Sequence, residues 1–201
     1  QTEEFDGTSW TEVADLATPR YAGAGAASGS PSGRQISGYT GTAFTAETEE
    51  WSWDSTLAAG TWASSNDMNT SRNHFSGFGT QTAALAAAGY VTPTVQALVE
   101  SYDGSSWTET TNVNTARRLS AGNGSTTAGL VVAGKDATAD VAITEEWNGS
   151  TWTETGDINT TRRKHGNAMQ GTTEAALVFG GDPPSTLDYA ESFNGTSWTE
   201  E

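Results

Sequence analysis

The chain has 201 residues, no cysteine and a formal net charge of −16 at pH 7, with 9 Lys and Arg against 25 Asp and Glu. Disulfides and thiolate metal sites are excluded by composition, and the charge argues against binding to nucleic-acid phosphates or docking on an anionic membrane. Apolar residues make up 34% of the chain and no apolar run approaches the roughly 20 residues of a membrane helix, so no membrane insertion is expected.

Residues 1–15 read as half of a unit that then recurs whole over approximately 16–66, 67–111, 112–156 and 157–201. The half unit carries Glu3, the aromatic Phe5 and an anchor, Trp10. The same three positions return as Glu49, Trp51 and Trp62, with extra residues at 54–60. They return again as Glu100, Tyr102 and Trp107, as Glu145, Trp147 and Trp152, and as Glu191, Phe193 and Trp198. Arg20, Arg72, Arg117 and Arg162 each stand ten residues after an anchor. The anchors are 45–52 residues apart, and a period in the forties marks a propeller blade or a solenoid unit.

Four short strands are expected in each whole unit. The first follows the arginine and is rich in small residues, as in 21–28 and 74–80. The second is an apolar run ending in glycine, as in 83–89, 129–134 and 175–181, with a weaker version at 34–41. The third carries the glutamate and the aromatic, and the fourth starts at the tryptophan. Asp-Gly or Asn-Gly between them (Asp103-Gly104, Asn148-Gly149, Asn194-Gly195, and 6–7) is a hairpin signal, since both residues accept positive φ. No window has a helical apolar period.

The glycine-ended strand (Gly180-Gly181 is a full double glycine), the aromatic–tryptophan pair and the downstream arginine resemble the Kelch repeat, and the resemblance covers nearly the whole chain. It implies an all-β fold: a β-propeller of four-stranded antiparallel blades with the small-residue strand innermost. The aromatic, Asn/Asp-Gly, Trp pattern is also similar, more loosely, to repeat arrays of phage and marine-virus structural proteins. The chain reads as a single domain, 1–201, of four complete repeats and an N-terminal half repeat, giving four to five blade positions. A five-position arrangement with one incomplete blade is the expectation. The chain starts and stops inside a repeat, which reads as a processed chain or a piece of a longer one.

The recurring glutamates and arginines are expected to form one buried ion pair per unit, because an active site uses residues found once. The tryptophans are expected to be core between blades. Asp15, Asp67, Asn112 and Asp157 recur in the linker after the fourth strand. Their oxygens suit Ca²⁺, the one cofactor considered, and turn chemistry is the competing reading. His74 and His165 fall near the expected channel mouth without the third ligand a zinc site needs. Loops that break the repeat lie at 29–33, 54–60, 90–95, 135–140 and 182–188, and breaks of this kind often map to a binding face. Tyr90, Lys135, Asp136 and Asp182 are the ligand-binding candidates there.

No catalytic constellation is present, so the chain is not expected to be an enzyme. The expected function is a non-catalytic structural, adhesion or scaffold module of an extracellular or virion-surface assembly, with protein partners or self-assembly. The alternative is a carbohydrate-binding propeller.

Overall fold

The computed structural model describes residues 2–5, 8–29, 32–52, 61–168, 171–182 and 187–201. Among them every regular element is a β-strand. A two-stranded ribbon, β1 (Thr2–Phe5) and β2 (Trp10–Val13), comes first. The first four-stranded sheet follows: β3 (Ala24–Gly29), β4 (Ser32–Tyr39), β5 (Phe44–Ser52) and β6 (Thr61–Ser65). The second is β7 (Ser76–Thr80), β8 (Ala83–Ala87), β11 (Val99–Tyr102) and β12 (Trp107–Thr110), with a small ribbon, β9 (Tyr90–Val91) and β10 (Thr94–Val95), between its second and third strands. The third is β13 (Ala121–Gly124), β14 (Gly129–Lys135), β15 (Asp140–Trp147) and β16 (Trp152–Glu154). The fourth is β17 (Gly166–Asn167), β18 (Ala176–Phe179), β19 (Ala190–Phe193) and β20 (Trp198–Glu200).

Each four-stranded sheet is an antiparallel meander in chain order. The four strands expected in each whole unit are found, in the expected order. The β9–β10 ribbon is new: the sequence read 90–95 as a variable loop. The half repeat at the N-terminus is a separate two-stranded sheet among the described residues. Residues 6–7 and 54–60, and parts of the loops at 29–33 and 182–188, lie outside the described residues.

The sheets meet through their first strands, with β3 against β7, β7 against β13 and β13 against β17. Small residues make this approach fit: a Cβ on Gly122 would lie 2.5 Å from the Phe78 ring and 2.9 Å from Ser76. Each joint between sheets holds its own apolar core. Ile36, Met68, Phe75, Tyr102 and Trp107 fill the first. Phe78, Leu85, Val99, Val131, Trp147 and Trp152 fill the second. Leu130, Val132, Ile158, Val178, Phe193 and Trp198 fill the third. The second strands are apolar on successive residues because both faces are buried. In β8, Leu85 and Ala87 belong to the second core while Ala84 and Ala86 belong to the first.

The glycine that ends each second strand has a shared geometry. Gly38, Gly89, Gly134 and Gly181 have φ between 109° and 134°. The residue before each, Ser37, Ala88, Ala133 and Gly180, has φ between 52° and 65°. The backbone takes a double-glycine turn in all four copies, although only one copy is written Gly-Gly. The glycine N–H then joins sheets: Gly89 donates to the Arg117 carbonyl and Gly134 to the Arg162 carbonyl, both at 2.8 Å.

Candidate binding face

The repeated charges are built into the scaffold. The Glu100 carboxylate on β11 accepts the main-chain N–H of Asn69 at 2.7 Å and of Thr70 at 3.2 Å, and pairs with the Arg72 guanidinium. Arg72 also donates to the Ala86 carbonyl at 2.9 Å. Glu145 repeats this with Asn114, Thr115 and Arg117, and Glu191 with Asn159 and Arg162. Glu49 holds Ala17, Thr18 and Arg20. The clamp pins the linker that enters each sheet, so its ion pair satisfies polar groups that burial would otherwise leave orphaned. Burial lowers the Arg72 and Arg117 guanidinium pKa values, and the paired Glu100 and Glu145 oppose the shift. The fifth glutamate, Glu3, is exposed.

Connectivity puts the linkers and the loops between second and third strands at one end of every sheet. The Asp-Gly and Asn-Gly turns lie at the other end. At the linker end, the residue after each clamp arginine bridges the residue after the strand-ending glycine: Tyr21 with Tyr39, Asn73 with Tyr90, Arg118 with Lys135, and Arg163 with Asp182. The backbone geometry repeats and the side chains do not. Five of the nine cations, Arg20, Arg34, Arg72, Arg117 and Arg162, have side chains at most 1% exposed. The other four, Arg118, Lys135, Arg163 and Lys164, all stand at this end.

Three different environments result. Between the first and second sheets, a cleft of about 460 Å³ is lined by Tyr21, Tyr39, Thr42, Phe44, His74 and Thr92, among others. Between the second and third sheets, a smaller cleft of about 290 Å³ is lined by Tyr90, Thr94, Val95, Arg118 and Asp136, among others. The Arg118 guanidinium lies 4.4 Å from the centre of the Tyr90 ring, a cation–π contact. Between the third and fourth sheets there is ion pairing: Arg163 binds both Asp140 oxygens at 2.6 and 2.7 Å, and Lys164 reaches Asp182 at 3.2 Å.

No family model and no curated protein matches the chain.

The sequence candidates divide. Tyr90 and Asp136 share the smaller cleft, while Asp182 is held by Lys164 and Arg163, which lower its carboxyl pKa. The Asp136 carboxyl is also lowered, chiefly by main-chain N–H groups of Ala139 and Thr138. Lys135 bridges Arg118 through main chain. Asp15, Asp67, Asn112 and Asp157 sit one per linker, and among the described residues no three His, Cys, Asp or Glu side chains are grouped to hold a metal. Asp157 accepts the Thr144 N–H at 3.3 Å and Asp15 the Thr2 N–H at 2.7 Å, each reaching back 13 residues along the chain rather than bonding within its own turn.

The two histidines are in unlike surroundings. His74 lines the larger cleft, and burial, then Arg118 and Lys164, lower its pKa. Burial and then Arg162 push His165 down to about 4. Both are neutral at pH 7. Sequence reasoning missed Tyr21, Tyr39 and Phe44. Their only signal was that tyrosines occupy both bridging positions of the first unit, where the other copies pair Asn with Tyr, Arg with Lys and Arg with Asp.

Proposed function

We propose that this chain is a non-catalytic adhesion or scaffold module, built as a Kelch-like propeller, that engages its partner through the linker end. One observation carries this reading: the bridging positions at which the copies differ, Tyr21 with Tyr39, Asn73 with Tyr90, Arg118 with Lys135 and Arg163 with Asp182, and all four cations that are not fully buried, collect at one end of four otherwise similar sheets. The recurring polar residues are held in clamps, which supports a rigid platform with a variable face. Neighbouring first strands and meander sheets support a propeller, with the clamp arginine preceding each innermost strand. The acidity elsewhere keeps such a platform soluble and suits an extracellular or virion-surface assembly.

The test compares retention of the wild-type protein and a triple variant on surfaces coated with polysaccharide or with protein. The variant carries Tyr21→Ala, Tyr90→Ala and Arg163→Ala, one change per joint. Retention lost in the variant at unchanged Tm is the expected result. Equal retention would place recognition elsewhere.

A second reading, self-assembly, is favoured by the ribbon at the N-terminus. Trp10 is 67% exposed where Trp107, Trp152 and Trp198 are 5–6% exposed. β1 lies in a two-stranded sheet where its counterparts β11, β15 and β19 are internal strands. A strand from a second copy added along β1 would complete the pattern. Light scattering on the intact chain decides it: a dimer or larger species that Glu4→Pro disperses supports assembly, and a monomer at all concentrations rules it out.

A further inference from the structure

The linker end offers an ion-paired joint, a cation–π cleft and an aromatic cleft, and the aromatic cleft is the larger of the two clefts. Tyr21 and Tyr39 are paired residues of one ladder, exchanging main-chain hydrogen bonds of 3.0 and 2.8 Å. Their rings therefore stand on the same face, with centroids 5.4 Å apart at 73°. Tyr39 faces Phe44 across the next pair of strands, with centroids 5.3 Å apart at 59°. The three rings form a continuous row, and its outermost member, Tyr21, is 61% exposed.

The opposite wall, from the second sheet, is polar. It presents Asn73, His74 and Thr92. Asn73 is 5% exposed, and its side-chain oxygen has no hydrogen-bond partner in the protein. His74 Nδ1 has none either. The lining contains no Asp, Glu, Lys or Arg. An anionic ligand would find no cation within the cleft, and a metal would find no carboxylate. The rings pack edge-on and tilted against one another in a row, and do not surround a common space as the walls of a cation cage would.

We propose that the cleft between Tyr21, Tyr39 and Phe44 of the first sheet and Asn73, His74 and Thr92 of the second binds a neutral saccharide. This site rests on the reading of the linker end as the recognition face, and it gives that face a ligand class. A pyranose ring has a C–H face that lies flat on an aromatic ring, and a rim of hydroxyls. The exposed Tyr21 ring receives the face. The rim exchanges hydrogen bonds with the hydroxyls of Thr42 and Thr92. A cleft of this size holds one or two sugar units. The equivalent positions of the other sheets carry Asn with Tyr, Arg with Lys, and Arg with Asp, so the chain has one such platform among its described residues.

The experiment is binding of the whole chain to neutral oligosaccharides of glucose, mannose, galactose and N-acetylglucosamine on an array, followed by calorimetry with any series retained. Sulfated and carboxylated oligosaccharides form the comparison set. The expected result is binding to at least one neutral series, weakened at least tenfold by Tyr21→Ala and unchanged by Tyr90→Ala. Thr42→Trp, which fills the cleft without touching the ladder, is expected to give the same loss and covers the case in which Tyr21→Ala disturbs the fold. Retention of charged oligosaccharides alone, or of none, overturns the proposal. Binding that survives both cleft variants and fails in Tyr90→Ala also overturns it, while leaving the linker end as the recognition face.

Discussion

The Arg117 guanidinium and the Glu145 carboxylate meet where neither side chain has any exposure to solvent. They are 28 residues apart in sequence, and what brings them together is the linker they hold. Arg117→Ala would leave Glu145 charged and buried, with only two main-chain N–H partners. A loss of about 3–5 kcal/mol is expected, read as a lower denaturant midpoint. A double variant, Arg117→Met with Glu145→Gln, is expected to lose less than Arg117→Ala alone, because no unpaired charge remains. If the single variant unfolds at the wild-type midpoint, the clamp is not a stabilising device.

Adjacent residues at the end of β8 should respond differently to small changes. Ala88 has φ 65°, a left-handed conformation that costs an alanine about 1–2 kcal/mol. Ala88→Gly relieves that strain but adds backbone entropy to the unfolded chain and removes a buried methyl, so the net change is within about 1 kcal/mol. Gly89 has φ 114°, and a Cβ there would lie 2.9 Å from the Phe75 Cβ and 3.0 Å from the Asn73 carbonyl. Gly89→Ala is expected to cost about 2 kcal/mol or more. Equal costs for the two variants would contradict this.

His165 sets part of the acid limb of stability. Its folded pKa is about 4 against an ordinary value of 6.5. Between those values the unfolded chain binds a proton that the folded chain refuses. Stability therefore falls as the pH drops from about 6.5 to about 4, by up to about 3 kcal/mol, with no further loss from this group below that. His74 acts in the same direction. Urea unfolding at pH 7 and pH 4 is expected to show a smaller drop in His165→Gln than in the wild type. Identical drops would remove His165 from the account.

The anchor tryptophans are expected to be unequal. Trp107 is 5% exposed and its indole N–H donates to the Asn66 carbonyl at 3.1 Å. Trp107→Ala should cost about 3–5 kcal/mol. Trp10, at 67% exposure, should cost no more than about 1 kcal/mol on the same change. Calorimetry on the two variants measures the difference, and parity would mean that Trp10 is covered in solution.

Much of the scaffold was legible because it is written four times. Glu100 with Arg72, and the tryptophans with their aromatic partners, recur at fixed spacing, and repetition separates a structural role from an accidental pair. The left-handed turn was legible only where glycine advertised it, at Gly180-Gly181. Ser37, Ala88 and Ala133 adopt it under tertiary constraint, and an alanine carries no sign of its φ. The aromatic cleft was hidden for a different reason. Tyr21 and Tyr39 lie 18 residues apart on opposite sides of a hairpin, and only the register of that hairpin sets them side by side. Tyr90 and Asp136 stood out in the sequence because each breaks the repeat, but in separate loops, and nothing in the sequence says that they line one cleft. Their coupling to Arg118 required knowing that one sheet's loop abuts the next sheet's first strand.

The joints between sheets carry a final consequence. Trp107 and Trp152 donate to the carbonyls of Asn66 and Thr111, Gly89 and Gly134 to those of Arg117 and Arg162, and Leu119 and Lys164 to those of His74 and Leu119. Each acceptor is main chain, present whatever the side chain. The clamp, by contrast, is closed within one unit, as Asn69, Arg72 and Glu100 all fall in 67–111. A unit cut at these points takes its clamp with it and finds these main-chain acceptors already in place on its new neighbour, leaving the apolar side chains of the joint to be matched. Gene duplication or deletion of whole units could then lengthen or shorten the array with only the apolar face of each joint to be matched, and each copy could acquire a different mouth while keeping the same body.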